Sequence, residues 1–312
     1  MKSQFNRNLS EVTEFILLGF RTPPKLQILL FLGFLLVYVV TLVGNISMIF
    51  VIKMDSRLQM PMYFFLKNLS YLDLCYSTVI APKTLANFFS SEKKISYKGC
   101  CAVQFFFLAL SVTTEVFLLA VMAFDRFSAI CSPLLYPVHM SPKFCVQLVT
   151  DSYTCGCINA VVETGFTSSL HFHGENRLDH FVCDVPALIM ISCVDTFVNE
   201  VVLFILSALI IITTTTVILV SYAYILSSVL KIPSTHGRSR AFSTCGSHIA
   251  VVSLFHRTVF FMYAQPGAIS SPEENKVVAV FYTLIIPMLN PLIYSLRNRD
   301  VKDAVKRILH SK

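Results

Sequence analysis

Asp125 and Arg126 stand side by side near the end of an apolar run that begins around Cys101. A charged side chain there costs about 2.5–3.5 kcal/mol to insert into hydrocarbon. Asn45, Asp73, Glu115 and Asn290 each fall near the middle of a different apolar run. Two carboxylates and two amides at that depth need partners. Such groups can exchange ion pairs and hydrogen bonds or hold a hard cation. They do not form a bond-breaking constellation. The chain has no phosphate loop, nucleophile elbow or paired-histidine zinc motif, so an enzyme is not expected. Two plainer roles stay open: an arginine that snorkels to headgroups, and a carboxyl that is protonated and simply hydrogen-bonded.

The elements that must position these groups are membrane helices. Apolar residues make up 55% of 312 and charged residues 14%, with a mean hydropathy of +0.67. An ordinary soluble domain has a charged share nearer about 25%. Roughly 20 apolar residues cross a bilayer as a helix. Seven segments qualify: Gln27–Ile52, Leu58–Ile80, Cys101–Ile130, Phe144–Thr164, Phe197–Ser227, Ala241–Tyr263 and Lys276–Leu296. The fourth is the weakest, because Asp151, Asn159 and small polar residues interrupt it. Barrel-length alternation is absent, so helices must satisfy the backbone. The expected fold is an all-α membrane protein, a seven-transmembrane helix bundle forming a single domain over 1–312. Residues 1–25 form an outer segment, 26–296 the bundle and 297–312 a cytoplasmic tail.

Lys/Arg placement orients the bundle. Arg297, Arg299, Lys302, Lys306, Arg307 and Lys312 crowd the tail, while Glu175, Asp179, Asp184, Asp195, Glu273 and Glu274 fall in the opposite loops. By the positive-inside rule the tail is cytoplasmic and the N-terminus extracellular, at the plasma membrane. The +7 net charge then reflects topology and attraction to the lipid bilayer, not nucleic acid. No apolar signal-peptide core precedes the first span, which is expected to act as signal-anchor. Asn8-Leu9-Ser10 is a glycosylation sequon on the outer side. Of the ten cysteines, Cys100, Cys101, Cys183 and Cys193 face the oxidising side. Cys155-Gly156-Cys157 reads as a helix-packing stretch of small residues. Val301, Ala304, Val305, Ile308 and Leu309 share one face of a short amphipathic C-terminal helix, with basic residues opposite. No cysteine follows it to carry a palmitoyl anchor.

Four segments, in the right order along nearly the whole chain, resemble the olfactory receptors, the tetrapod-type branch of rhodopsin-like G-protein-coupled receptors. They are Pro61-Met62-Tyr63-Phe64-Phe65-Leu66, Met122-Ala123-Phe124-Asp125-Arg126-Phe127, Arg240-Ala241-Phe242-Ser243-Thr244-Cys245-Gly246-Ser247-His248 and Pro287-Met288-Leu289-Asn290-Pro291-Leu292-Ile293-Tyr294. Several positions depart from the family pattern. Phe124 and Phe127 replace tyrosines, Tyr153 stands where the family has tryptophan, and His173 replaces a cysteine of the second outer loop.

The resemblance implies a division of labour. Asp125 and Arg126 would pair at rest and release Arg126 toward a heterotrimeric G protein of the olfactory stimulatory type, raising cyclic AMP. Tyr222 would meet Tyr294 and Arg126 in the active state. Asn290 and Pro291 would form the seventh-span hinge, with a static kink as the alternative. Asp73 and Glu115 would coordinate a structural sodium ion; no other cofactor is implied. Cys101 and Cys183 would form the disulfide, leaving Cys193 to pair with Cys100 or stay reduced. A small volatile odorant would sit among Leu108, Ala109, Val112, Thr113, Val116, Leu206, Ile210, His256, Val259, Phe260, Tyr263, Val280 and Thr283. Each ligand methylene buried there contributes about 0.8 kcal/mol, so micromolar or weaker affinity is expected.

His256-Arg257 replaces a family Tyr-Gly pair and individualises the chain. Successive helical residues point about 100° apart, so the two cannot line one pocket equally. His256 is expected to face ligand. Arg257 pairs with Glu163, snorkels, or acts as counter-ion for an acidic odorant. The Thr213–Thr216 run reads as hydroxyls bonding back to their own helix. His171-Phe172-His173 reads as solvated loop histidines ahead of a metal site. Two rivals are a transporter, against which the lack of internal symmetry argues, and a non-olfactory receptor of the same fold. An amine receptor would call for an acid on the outer third span, where Leu108 and Ala109 stand.

Overall fold

In a computed structural model the backbone is described for residues 12–20, 22–90, 93–172, 176–231, 235–263, 272–297 and 299–310. The sequon at Asn8 and His173 lie outside the described residues, as do the side chains of Tyr263 and Leu309. Long helices dominate: α1 (Pro24–Met54), α2 (Pro61–Phe89), α3 (Ala102–Cys131), α5 (Pro142–Ser168), α7 (Phe197–Leu230) and α8 (Thr235–Tyr263). Short helices α4 (Tyr136–His139) and α6 (Val185–Ile189) lie in loops. The seventh crossing is composite: α9 (Pro272–Val280), a π-turn (Phe281–Ile285) and α10 (Ile286–Arg297). Helix α11 (Arg299–His310) closes the chain. The seven expected spans are therefore present. Most run longer than their apolar cores; α2 continues to Phe89 rather than Ile80.

Prolines set several starts. Pro24, Pro61 and Pro142 occupy first-turn positions, where a missing N–H costs nothing and φ is already helical. Ser141 caps α5 by accepting from the Phe144 N–H at 3.4 Å.

Four crossings, Pro24–Met54, Gly99–Cys131, Phe197–Leu230 and Glu273–Ser295, are long and apolar enough to span a membrane by composition alone. Helices α2, α5 and α8 carry polar groups inward: Asp73, Asn159, Glu163 and His248 are all buried. Meanwhile Leu29, Leu36, Val43, Leu209, Ile212 and Leu219 lie exposed on α1 and α7. An apolar surface of that extent suits lipid, not water. Helix α3 is central, with both faces buried along most of its length.

A three-stranded sheet, order β2-β1-β3, caps the outer end and was not foreseen. It joins β1 (Glu14–Leu17), β2 (Lys94–Ser96) and β3 (Arg177–Leu178). β1 runs antiparallel to β2, with Phe15 opposite Ile95, and parallel to β3. Phe15 is fully buried edge-on between Tyr97 and Phe172. Burial pushes the Tyr97 hydroxyl up to about 12.

At the inner end α11 docks on the bundle rather than only lying on the lipid surface. Val301 and Ala304 are buried against it, and Tyr63 donates to Asp300 at 3.1 Å. Arg307 donates to Asp55 from Nη2 at 2.6 Å and Nε at 3.0 Å. That hydrogen bond, with the Arg57 N–H, holds the Asp55 carboxyl below its ordinary value. A depressed carboxylate stabilises docking above its unfolded pKa and loses that contribution as pH falls through the folded one. Protection of α11 against hydrogen exchange, relative to the intrinsic rate at each pH, should therefore fall below roughly pH 4. Asp55→Asn should lower that protection at neutral pH and remove its pH dependence; an unchanged protection profile would contradict the contact's role.

Candidate functional site

At the inner end of α3, Arg126 is buried within a ring supplied by α7, α8 and α10. Its guanidinium hydrogen-bonds the Cys245 sulfur, and its charge is felt at Tyr222, His248 and Tyr294. The Tyr222 hydroxyl lies 2.7 Å from His248 Nδ1, tying α7 to α8. The Tyr294 hydroxyl is buried without a hydrogen bond to any described residue. Of the expected active-state group, the structure brings Tyr222, Tyr294 and Arg126 to one place, while Tyr222 bonds to His248.

Asp125 and Arg126 remain electrostatic neighbours at the inner end of α3. Among the described residues, Asp125 takes its hydrogen bond from the Tyr136 hydroxyl of α4, at 2.8 Å. The two side chains leave one helix about 100° apart, so α4 meets Asp125 while Arg126 turns into the bundle. Phe124 and Phe127 pack in apolar clusters, Phe127 against Tyr224 with centroids 5.6 Å apart. Tyr153 keeps a polar tip, its hydroxyl 3.5 Å from the Asn68 carbonyl.

Midway along the bundle the polar set assembles as expected. Asn290 Nδ2 donates to Asp73 Oδ2 at 3.1 Å and Glu115 Oε1 at 2.9 Å, so one amide bridges both carboxylates. Pro291 has no N–H for the Pro287 carbonyl four residues earlier. Asn45 Nδ2 fills that gap at 3.0 Å and also donates to the Thr41 carbonyl at 3.0 Å. Sidechain–backbone bonding across helices thus replaces the bond that proline removed. Asn45 Oδ1, Asn290 Oδ1 and the Tyr76 hydroxyl are buried with no hydrogen-bond partner among the described residues.

In the outer half, a solvent-open cleft of about 380 Å³ lies between α3, α5, α7 and α8. Ala109, Val112, Thr113, Val116, Ile210 and Val259 of the expected set line it. Other described members do not. Leu108 is buried in the main core, and Phe260 is 54% exposed on the outside. Leu206 is half-buried, and its neighbour Ser207 faces the cleft instead. His256 turns back on its own helix, with Nδ1 3.0 Å from the Val252 carbonyl. Val280 is half-buried, and Thr283 is fully buried with its hydroxyl donating to Ala279. The π-turn at Phe281–Ile285 inserts an extra residue into the seventh crossing and rotates its faces. Position-by-position carry-over fails there for that reason.

Asn159 and Glu163 of α5 also line the cleft and were missed as ligand groups. Glu163 accepts from Asn159 at 3.1 Å and Arg257 is exposed, which of the three alternatives for Arg257 suits snorkelling rather than a pair with Glu163. The threonine reading holds for Thr214 and Thr216, which donate to the Ile210 and Ile212 carbonyls.

Above the cleft the second outer loop is pinned at several points. Cys101 and Cys183 form a disulfide with Cα atoms 5.5 Å apart, while Cys100 is exposed. Lys276, fully buried, pairs with Asp179 at 2.7 Å and Glu273 at 3.0 Å. Tyr282 donates to Asp184 at 2.6 Å. Burial holds the His180 imidazole below its ordinary value, so it stays neutral here at physiological pH. The disulfide closes a separation of 82 residues, a loop whose restriction is worth roughly 4–5 kcal/mol on the chain-entropy model. Cys101→Ala should sharply reduce folded protein at the cell surface, whereas Cys100→Ala should leave it near wild type. Equal losses in surface staining would point to the wrong partner.

A family model described as "Olfactory receptor" matches residues 34–312. The chain is 58% identical to olfactory receptor 9S13 of Mus musculus over 94% of this chain and 88% of that one. It is 54% identical to olfactory receptor OR9H1 of Homo sapiens over 96% and 97% of the two. In fold it resembles a crystal structure of squid rhodopsin, with a TM-score of 0.70, 17% identity and coverage of 94% and 89%.

Proposed function

The chain belongs to the olfactory receptor family, and from that premise we propose that a small volatile odorant seated in the outer cleft shifts the bundle toward a state read at Arg126 by an olfactory-type stimulatory G protein, with cyclic AMP as the output. It is an odorant receptor of the G-protein-coupled class, a multi-pass membrane protein and not an enzyme. The observation that carries the rest is the composition of α3. That one rigid helix supplies cleft residues from Ala109 to Val116, the bridged carboxylate Glu115, and Asp125–Arg126. Val112 and Arg126 are 14 positions apart, or roughly 21 Å at the helical rise. A ligand that favours one packing of α3 against α5, α7 and α8 therefore biases the inner end. Only differential affinity for the two packings can do so.

An extracellular N-terminus in the plasma membrane of olfactory cilia fits this reading. The Cys101–Cys183 bond wants an oxidising compartment, and the basic tail sits at the opposite end. A sodium ion fits the mid-bundle set, since a hard cation takes oxygen ligands. Asp73 and Glu115 would hold it, with the partnerless oxygens of Asn45, Asn290 and Tyr76 close by in the same buried layer. The direct test is a screen of a few hundred volatiles in cells carrying a cyclic AMP reporter. Dose-dependent responses absent from cells without the receptor are expected; flux of odorant without signalling would favour a transporter instead.

A further inference from the structure

The apolar cleft has one polar wall, and its chemistry is lopsided. Asn159 Nδ2 donates to Thr113 Oγ1 at 3.0 Å and to Glu163 Oε1 at 3.1 Å, which uses both amide hydrogens. That pair also sets the amide's orientation, because reversing it would put oxygen against a carboxylate. Asn159 Oδ1 is left buried and without a hydrogen bond. Glu163, 9% exposed, offers a second oxygen, and the Ser207 hydroxyl faces the same space from α7. Among the described residues that line the cleft there is no lysine, arginine or histidine. The wall therefore presents acceptors and an acid with no cation to meet it.

We propose that this receptor recognises small aliphatic amines, whose ammonium group seats against Glu163 and Asn159 Oδ1 while the alkyl body fills the cleft between Ala109, Val116, Ile210 and Val259. This rests on the odorant-receptor reading and names the ligand class for the same cleft. An ammonium carries three donors and no acceptor, which matches Glu163, Asn159 and Ser207. An alcohol supplies one donor and no charge. A carboxylate or ester brings only acceptors and leaves the wall unpaired. An acid in hydrocarbon is costly until a partner cation arrives, so the amine gains from pairing it. The alternative of an acidic odorant held by Arg257 is disfavoured, since Arg257 is exposed and does not line the cleft. An amine site was set aside because the acid stands on α5, not on the outer part of α3.

The test uses the full chain in reporter cells with four ligands sharing one hexyl body: hexylamine, hexanol, hexanoic acid and its methyl ester. Hexylamine should be at least about tenfold more potent than hexanol, with acid and ester weaker still. Glu163→Gln should erase the amine-to-alcohol ratio, and Glu163→Asp, which keeps the charge, should retain it at lower potency. Because the readout is a ratio within one variant, reduced expression does not mimic it. An acid or ester as potent as the amine, or a Gln variant that keeps the ratio, would overturn the proposal while leaving receptor function intact. Silence toward every volatile in a broad panel, with receptor at the surface, would overturn the odorant reading as well.

Discussion

Gly156→Ala is expected to lower the unfolding temperature of the detergent-solubilised receptor and to cut the fraction that reaches the cell surface. A Cβ placed on Gly156 would lie 2.2 Å from Thr114 Oγ1, 2.9 Å from the Leu110 carbonyl oxygen and 3.3 Å from Leu110 Cδ1. Neither oxygen can give way easily. One belongs to the α3 backbone, and the other is held to it by the Thr114 hydrogen bond at 2.7 Å. The helices must separate instead. Two effects oppose each other, since alanine improves helix propensity over glycine by about 1 kcal/mol. Overpacking a close crossing costs typically about 1–3 kcal/mol. Contact at 2.2 Å with backbone behind it puts this site at the upper end, so the clash wins. Valine should be worse, abolishing surface expression. Cys155→Ala is the control: Cys155 and Cys157 are exposed, so the glycine between them makes the contact. A Gly156→Ala protein that melts like wild type would show that α3 and α5 do not pack as closely as described.

How much of this was legible in the sequence depends on the range of the interaction. The spans announce themselves because twenty apolar residues in a row need no partner to be recognised. Asp73, Glu115 and Asn290 stand out for the same reason, since charge or amide in hydrocarbon is anomalous on its own. The outer sheet is a different case. β3 has two residues and β2 three, and each is defined by a partner dozens of positions away rather than by alternation. Glu163 and Asn159 were visible as polar residues, but the weak fourth span gave no apolar stripe from which to read which face meets α3. Tyr136 as the partner of Asp125, and Asp55 as the partner of Arg307, depend on how loops fold back, which local pattern does not encode. The docking of α11 was half legible: its amphipathic period was read correctly, and the surface it faces was not.

Arg126→Ala should abolish odorant-driven signalling while leaving receptor at the cell surface. Breaking a buried ion pair from one side usually costs about 3–5 kcal/mol, because the remaining charge is stranded. That penalty would make any loss of signal ambiguous. Here it is reduced, since Asp125 keeps the Tyr136 hydrogen bond besides the charge of Arg126. The substitution removes a cation from among Tyr222, His248, Tyr294 and Cys245 and leaves the Asp125 carboxylate hydrogen-bonded to Tyr136. The bundle should therefore assemble, with its disulfide and mid-bundle bridge intact. What is lost is the charged group that α7, α8 and α10 can each contact at the inner end, where a G protein must read the change. Surface staining within about twofold of wild type, with the ligand response reduced to the level of untransfected cells, is the expected pair of results. Tyr136→Phe separates the two roles: it leaves Asp125 buried without its hydrogen bond, a loss of about 1–3 kcal/mol, and should reduce folded receptor more than Arg126→Ala does. Normal signalling by Arg126→Ala would show that the inner end is read elsewhere.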